Sequence, residues 1–298
     1  MNENPPQKRV LVITGPTASG KTGIAEKIAS DLGMSIVSAD SRQVYRFLDI
    51  GTAKPAKDSP VRYHLIDFLH PKEKYSASRF IEEADDVLAR ESALICGGTG
   101  FYIRALSEGL FQGDYSSEDL RKELGEDNAS ALHKRLTEVD PEAAAGIHPN
   151  NKIRVIRALE VFMLSGKPIS QHWRESREKR SKHTFIKIGI RHDRDTLRKR
   201  IMNRTIAMLE QGWIEEVENL LAEGFDTKWP GMQSLGYPLI VDYLNGMMNR
   251  ETLTERIFHE TWQYARRQLV WFKKEPGLVW VDWDGQATAE RVIERFSL

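Results

Sequence analysis

The chain has 298 residues, 40% hydrophobic and 29% charged, with 43 Lys/Arg against 43 Asp/Glu. This is the composition of an ordinary soluble globular protein with enough apolar residues for a core. The balanced charge argues against indiscriminate coating of nucleic acid, and no apolar run reaches the roughly 20 residues of a membrane span.

At roughly 150 residues per domain, the length suggests two domains or one domain with an insertion. Met1 to Lys8 is polar, and Val10 to Ile13 is too short an apolar stretch for a signal peptide. Arg9 to Thr14 is an apolar run ending in a glycine loop and reads as a buried parallel strand. Ile24, Ala25, Ile28, Ala29 and Leu32 then recur at helical spacing until Gly33. Met34 to Ser38 is a second strand, Ser78 to Arg90 a helix, and Ala93 to Cys96 a third strand running into Gly97-Gly98-Thr99-Gly100. This alternation implies an α/β fold, with a parallel sheet covered by helices on both faces. Ligands in such sheets bind beyond the carboxyl ends of the strands, where these strands end in Gly, Asp or Thr.

From about Asp114 to His183 the pattern is helical, with no convincing strand. Phe185 to Ile190 alternates like a strand, helices follow over about Thr196 to Gln211 and Ile214 to Ala222, and Leu278 to Asp282 is a last strand. The expected organisation is a P-loop-type core of residues 1–113 and 184–298, interrupted by a helical insertion domain of residues 114–183. Six Lys/Arg lie between Arg174 and Lys187 and six more between Arg191 and Arg204, while Asp114 to Asp127 leans acidic. Solvated helix faces and a nucleic-acid surface both account for these runs. The single cysteine, Cys96, excludes an internal disulfide and fits a reducing cytoplasm.

The most specific local signal is Gly15-Pro16-Thr17-Ala18-Ser19-Gly20-Lys21-Thr22, a P-loop with a strand before it and a helix after it. Its glycines let backbone amides turn inward, and the helix N-terminus adds the positive end of its dipole. Lys21 can reach terminal phosphates and the Thr22 hydroxyl can ligate Mg²⁺. No strand ends in an apolar run followed by Asp or Asp-Glu, and there is no guanine-specifying Asn-Lys-x-Asp, which weakens switch-GTPase and motor-ATPase readings. Asp40, just past the second strand, is either a proton acceptor or metal-water holder or a turn residue. Thr99, between two glycines, marks either close approach to a ligand or a tight turn. An arginine suits developing phosphate charge, but the residues alone do not choose among Arg198, Arg200 and Arg204.

Taken together, GPTASGKT (15–22), SADSRQVY (38–45), DIGTAKP (49–55), YHLIDF (63–68), GGTGFYI (97–103), HPNNKIRVIRALEV (148–161), QSLGY (233–237) and RRQLVWFKK (266–274) resemble the tRNA dimethylallyltransferases over most of the chain. The resemblance implies transfer of a dimethylallyl group from dimethylallyl diphosphate to N6 of the adenosine 3′ of the anticodon, in tRNAs reading U-initial codons. The P-loop would then hold an isoprenoid diphosphate, with Mg²⁺ as cofactor. By motif, Asp40 is the base, Thr99 a hydrogen-bond partner at the reacting centre, and Arg204 with Lys21 the clamp on the leaving diphosphate. Asp40, Ser41, Arg42, Gln43, Thr99, Arg154, Arg157, Gly236 and Tyr237 are the implied tRNA contacts. Phe101, Tyr102, Trp213, Tyr237 and Trp271 are candidates to line a tunnel. The chain departs from many relatives at Ile153 and at Pro238-Leu239. It also has no Cys/His finger, so the longer eukaryotic-type architecture is not expected. A cytoplasmic monomer is expected; a P-loop kinase using ATP and a non-catalytic tRNA-binding regulator are the competing readings.

Overall fold

The computed structural model describes residues 8–110, 115–178, 183–285 and 287–296. Met1 to Gln7, Asp114, and Lys179, Arg180 and Lys182 of the basic run lie outside the described residues. In chain order the elements are β1 (Lys8–Thr14), α1 (Lys21–Leu32), β2 (Ser35–Ser38), β3 (Tyr63–His64), α2 (Ala77–Arg90), β4 (Ala93–Gly97) and α3 (Gly100–Glu108). There follow α4 (Glu118–Glu126), α5 (Ala129–Val139), α6 (Pro141–Gly146), α7 (Lys152–Ser165) and α8 (Ile169–Glu178). The chain resumes with β5 (His183–Arg191), α9 (Arg194–Glu210), α10 (Trp213–Ala222), α11 (Tyr237–Leu244), α12 (Arg250–Phe272), β6 (Leu278–Asp282) and α13 (Ala287–Phe296).

The strands form one six-stranded sheet in the order β3-β2-β4-β1-β5-β6, and every pairing is parallel. All carboxyl ends therefore meet on one edge, where β1 delivers Gly15, β2 delivers Asp40 and β4 delivers Thr99. Val10, Leu11, Val12 and Ile13 of β1 are all buried, as a central strand covered on both faces requires. Leu11 and Ile13 pack with Ile24 and Ile28 of α1 and with Ala289 and Val292 of α13. The two-residue strand β3 and helices α3, α11, α12 and α13 were not among the elements expected from the sequence.

The chain divides into two compact units, Met1–Ala105 with Lys182–Leu298, and Leu106–Ser181. The first division falls within α3, before the expected residue 114. Inside the second unit, helices α4 to α8 enclose Leu124, Leu132, Leu136, Val155, Leu159 and Ile169. Two buried carboxylates tie it together. Asp140 accepts from the amides of Ala143 and Ser170, and Glu160 accepts from Arg121, Arg157 and the amide of Ser117.

In the first unit, the Glu275 side chain is 0% exposed and holds Lys187 of β5 at 2.6 Å and Arg104 of α3 at 2.9 Å. Removing one partner of a buried pair strands the other charge away from water. Glu275→Ala is expected to cost about 3–5 kcal/mol by urea unfolding; a loss below about 1 kcal/mol would show that Lys187 finds water instead.

Candidate active site

The P-loop is shaped from both sides. Gly15 (φ 148°), Ala18 (φ 62°) and Gly20 (φ 84°) all lie at positive φ. At Gly20 a Cβ would come within 2.4 Å of the Trp283 ring, so the position is restricted by space as well as by backbone. The outward carbonyls are occupied: Arg200 Nε donates to Ala18 O at 2.7 Å and His192 Nε2 donates to Ser19 O at 2.8 Å. Arg200 also lies over the Trp283 ring, 5.0 Å from its centroid. With these carbonyls held outward, the α1 N-terminus is left uncapped by any side chain and its first amides are free for an anion.

Inside the loop, Lys21 Nζ donates to Pro16 O at 3.3 Å. Burial holds the Lys21 pKa below its ordinary 10.5; Cys96 and Asp40 pull it up, and Arg204 pushes it further down. Burial likewise lowers Arg204, with Asp40 opposing. The Cys96 thiol is pushed up to about 12 by burial and is a packing group. Two partly buried cations thus feel one carboxylate.

Asp40 ends β2 in a tight turn. Its Oδ1 accepts from the amides of Arg42 at 2.8 Å and Gln43 at 3.4 Å, which leaves Oδ2 as the outward acceptor. Thr99 grips this turn from β4: its amide donates to Ala39 O and its Oγ1 accepts from the Ser41 amide at 3.1 Å. Among the described residues the hydroxyl proton of Thr99 has no acceptor. The close approach needs Gly97, where a Cβ would sit 2.1 Å from Ala39 O.

A cavity of about 570 Å³ opens on this edge, bordered by Thr17, Asp40, Arg42, Arg204, Gln233 and Tyr264. A second, of about 670 Å³ and edged by Lys54, Arg62 and Tyr63, shares Arg204 and Met208 with it. Arg204 therefore faces both spaces. This separates the three arginines, since Arg200 braces the P-loop from outside and Arg198 lies over the Phe258 and Trp262 rings.

Several expected residues take other places. Tyr237 is 0% exposed in the core and its hydroxyl donates to Glu216 Oε1 at 2.6 Å, so its side chain offers RNA no surface. Gly236 is pressed against Trp213, where a Cβ would come within 2.2 Å. Gln233, Ser234 and Leu235, just before them, border the cavity instead. Pro238 fits because the first turn of α11 needs no donor from it. The Gln43 amide is spent internally, accepting from Ser38 Oγ and donating to Ala53 O. Ser41 and Arg42 do border the cavity. Tyr102 stacks on Phe80 in the core, Phe101 and Trp271 meet edge to face, and Trp213 borders the cavity from a buried position. Arg154 and Arg157 belong to the second unit; Arg154 is exposed, whereas Arg157 is bound to Glu160 and Tyr115 O.

Three functional side chains were not anticipated. Glu216 accepts from the amides of Asp49, Ile50 and Gly51, fixing the loop that brings Gly51 and Thr52 to the cavity. Tyr264 enters the cavity from α12, and Gln268, one turn further, contacts the P-loop. For Mg²⁺, the fitting group is Thr22. Its hydroxyl stands in the first turn of α1 with no protein hydrogen bond among the described residues, a hard oxygen ligand beside the phosphate-binding amides.

Residues 43–275 match the family described as IPP transferase, and residues 8–64 match isopentenyl transferase. The tRNA dimethylallyltransferase of Acetivibrio thermocellus is 42% identical over 96% of this chain and 95% of its own length. That of Geobacter sulfurreducens is 39% identical over 95% and 94%. Among solved structures, the full-length tRNA isopentenylpyrophosphate transferase from Bacillus halodurans superposes with a TM-score of 0.72 at 34% identity, covering 98% of this chain and 96% of that one. A eukaryotic dimethylallyltransferase acting on tRNA gives a TM-score of 0.80 at 25% identity, over 96% of this chain and 78% of its own.

The depressed Lys21 pKa fixes the direction of a pH effect. An anion binds the protonated lysine, so affinity for inorganic diphosphate is expected to fall, by at most about tenfold per pH unit, as pH rises through a value below 10.5. Lys21→Arg keeps its charge, and its calorimetric profile is expected to stay above that of the parent at alkaline pH; parallel profiles would remove Lys21 from the phosphate site.

Proposed function

This chain belongs to the tRNA dimethylallyltransferase family, and we propose that it alkylates N6 of the adenosine immediately 3′ of the anticodon in tRNAs reading U-initial codons. The donor is dimethylallyl diphosphate and the by-product diphosphate. The observation that carries this reading is that Asp40 and Arg204 border one cavity together with Thr17 of the P-loop, whose Lys21 bends back on Pro16 O. A diphosphate supplies the missing negative charge, and Asp40 keeps one carboxylate oxygen free for a proton.

The target adenine must leave its stack, at a cost of a few kcal/mol, to reach the cavity beside Asp40. The two spaces that share Arg204 allow the nucleoside and the allylic donor to approach from different sides. The N6 nitrogen forms a bond to C1 of the donor while the C1–O bond breaks and its electron pair leaves with diphosphate. The P-loop amides, Lys21 and Arg204 stabilise that charge. Asp40 Oδ2 takes the N6 proton, and the Thr99 hydroxyl donates to the substrate from the other side of the Asp40 turn. An exocyclic amine is a weak nucleophile, so alignment supplies much of the rate. Mg²⁺, when bound, would neutralise diphosphate oxygens, with Thr22 as its protein ligand.

In the second unit, exposed Arg154 is the proposed tRNA-backbone contact, while Arg157 keeps α7 in place through Glu160. The buried free thiol of Cys96 supports a cytoplasmic setting. No helix among the described residues is long and apolar enough to cross a membrane.

The test is to incubate the protein with Mg²⁺, dimethylallyl diphosphate and unmodified tRNA, then digest and weigh the nucleosides. Dimethylallyladenosine is expected; ATP consumption without it would favour a kinase, and tRNA binding without turnover a regulator. Asp40→Asn is expected to lower turnover by roughly 10²–10⁴ with tRNA affinity retained. Arg154→Glu is expected to weaken tRNA binding and flatten its log–log salt slope by roughly 1–2; an unchanged slope would place the RNA backbone elsewhere.

A further inference from the structure

We propose that Gln268 is a positioning residue that sets the spacing between the phosphate cradle and the turn that carries the base. It stands on α12 with 6% of its surface exposed. Its Oε1 accepts from the Thr17 amide at 2.8 Å, and its Nε2 donates to Gly98 O at 2.9 Å. One carboxamide therefore joins the P-loop after β1 to the loop after β4. Gly98 is followed by Thr99, which holds Ala39 and Ser41 on either side of Asp40. The chain of contacts runs from Thr17 through Gln268 and Gly98 to Thr99 and the Asp40 turn, without a gap.

Two features mark this as a fitted device. The carboxamide fills the space beside Gly98, where a Cβ would lie 2.4 Å from Gln268 Nε2 and would have to displace it. The carboxamide is also matched in polarity, presenting an acceptor to an amide and a donor to a carbonyl. A carboxylate would oppose Gly98 O, and an apolar group would leave the Thr17 amide without a partner and Gly98 O with the Gly100 amide alone. Because the Thr17 amide is occupied by Gln268, diphosphate is left to the later amides of the loop. The reacting atoms are gripped at two points, the phosphate by the P-loop and the N6 proton by Asp40, so a shift of one relative to the other degrades alignment.

The proposal rests on the diphosphate reading of the P-loop, and the experiment separates the two. Gln268→Met keeps the volume and removes both hydrogen bonds. Gly98→Ala attacks the same contact from the other side. Each is expected to weaken calorimetric binding of inorganic diphosphate with Mg²⁺ roughly tenfold and to lower kcat, while KM for tRNA stays within about twofold. In Gln268→Ala, which vacates the space beside Gly98, adding Gly98→Ala is expected to cause little further loss. Lys21→Met is the reference variant. If Lys21→Met loses diphosphate binding while Gln268→Met and Gly98→Ala keep both constants within twofold, Gln268 is a packing residue only and the proposal is overturned. Lowered thermal stability with unchanged constants overturns it equally. If Lys21→Met itself binds diphosphate normally, the diphosphate reading fails and the proposal falls with it.

Discussion

Two partly buried cations beside a single carboxylate are the constraint around which this site is organised. Lys21 and Arg204 are both pushed toward their neutral forms by burial, and Asp40 offsets only part of that. Such an arrangement favours an anion with more than one charge. The fold holds it in place because an all-parallel sheet brings the ends of β1, β2 and β4 to one edge. Side chains behind the P-loop complete it: His192 and Arg200 hold carbonyls outward, so that the amides and Lys21 face the ligand.

The same geometry explains why a P-loop serves alkyl transfer here. Phosphoryl transfer to water needs a group that orients water at phosphorus. Asp40 and Glu260 are the carboxylates that border the cavity, and Asp40 is the one delivered by the sheet edge that carries the P-loop. Its backbone turn occupies one oxygen and leaves the other as an acceptor at the cavity. In the proposed mechanism the leaving group is cradled, and the nucleophile is relieved of its proton from the other side. Nothing in that division of labour requires phosphorus to be attacked.

Much of this was legible in local sequence. The P-loop, Asp40 and Thr99 stand beside apolar strands that end in turn residues, and such signals span only a few positions. What escaped acts over distance or through a mixed face. Glu216 reaches Asp49 across 167 positions and Gln268 reaches Thr17 across 251, with no local pattern to announce either. Helix α12 buries Leu253, Ile257, Phe258, Trp262, Ala265 and Phe272, but dense charge between them masks the periodicity. Strand β3 is two residues at the sheet edge, too short for any alternation. Tyr237 was expected at the RNA and lies in the core, because a motif records that a residue type is needed and leaves open whether it touches the ligand or supports what does.

The central claim is that the bond broken at the P-loop is carbon to oxygen. It is tested most directly by a donor carrying ¹⁸O at the oxygen that bridges C1 and phosphorus, with tRNA as acceptor and mass analysis of the products. Cleavage at carbon sends all of the label out in diphosphate, and the modified nucleoside carries none. Label retained in a dimethylallyl alcohol, or a phosphorylated tRNA, would mean that phosphorus is the centre attacked and would contradict the account.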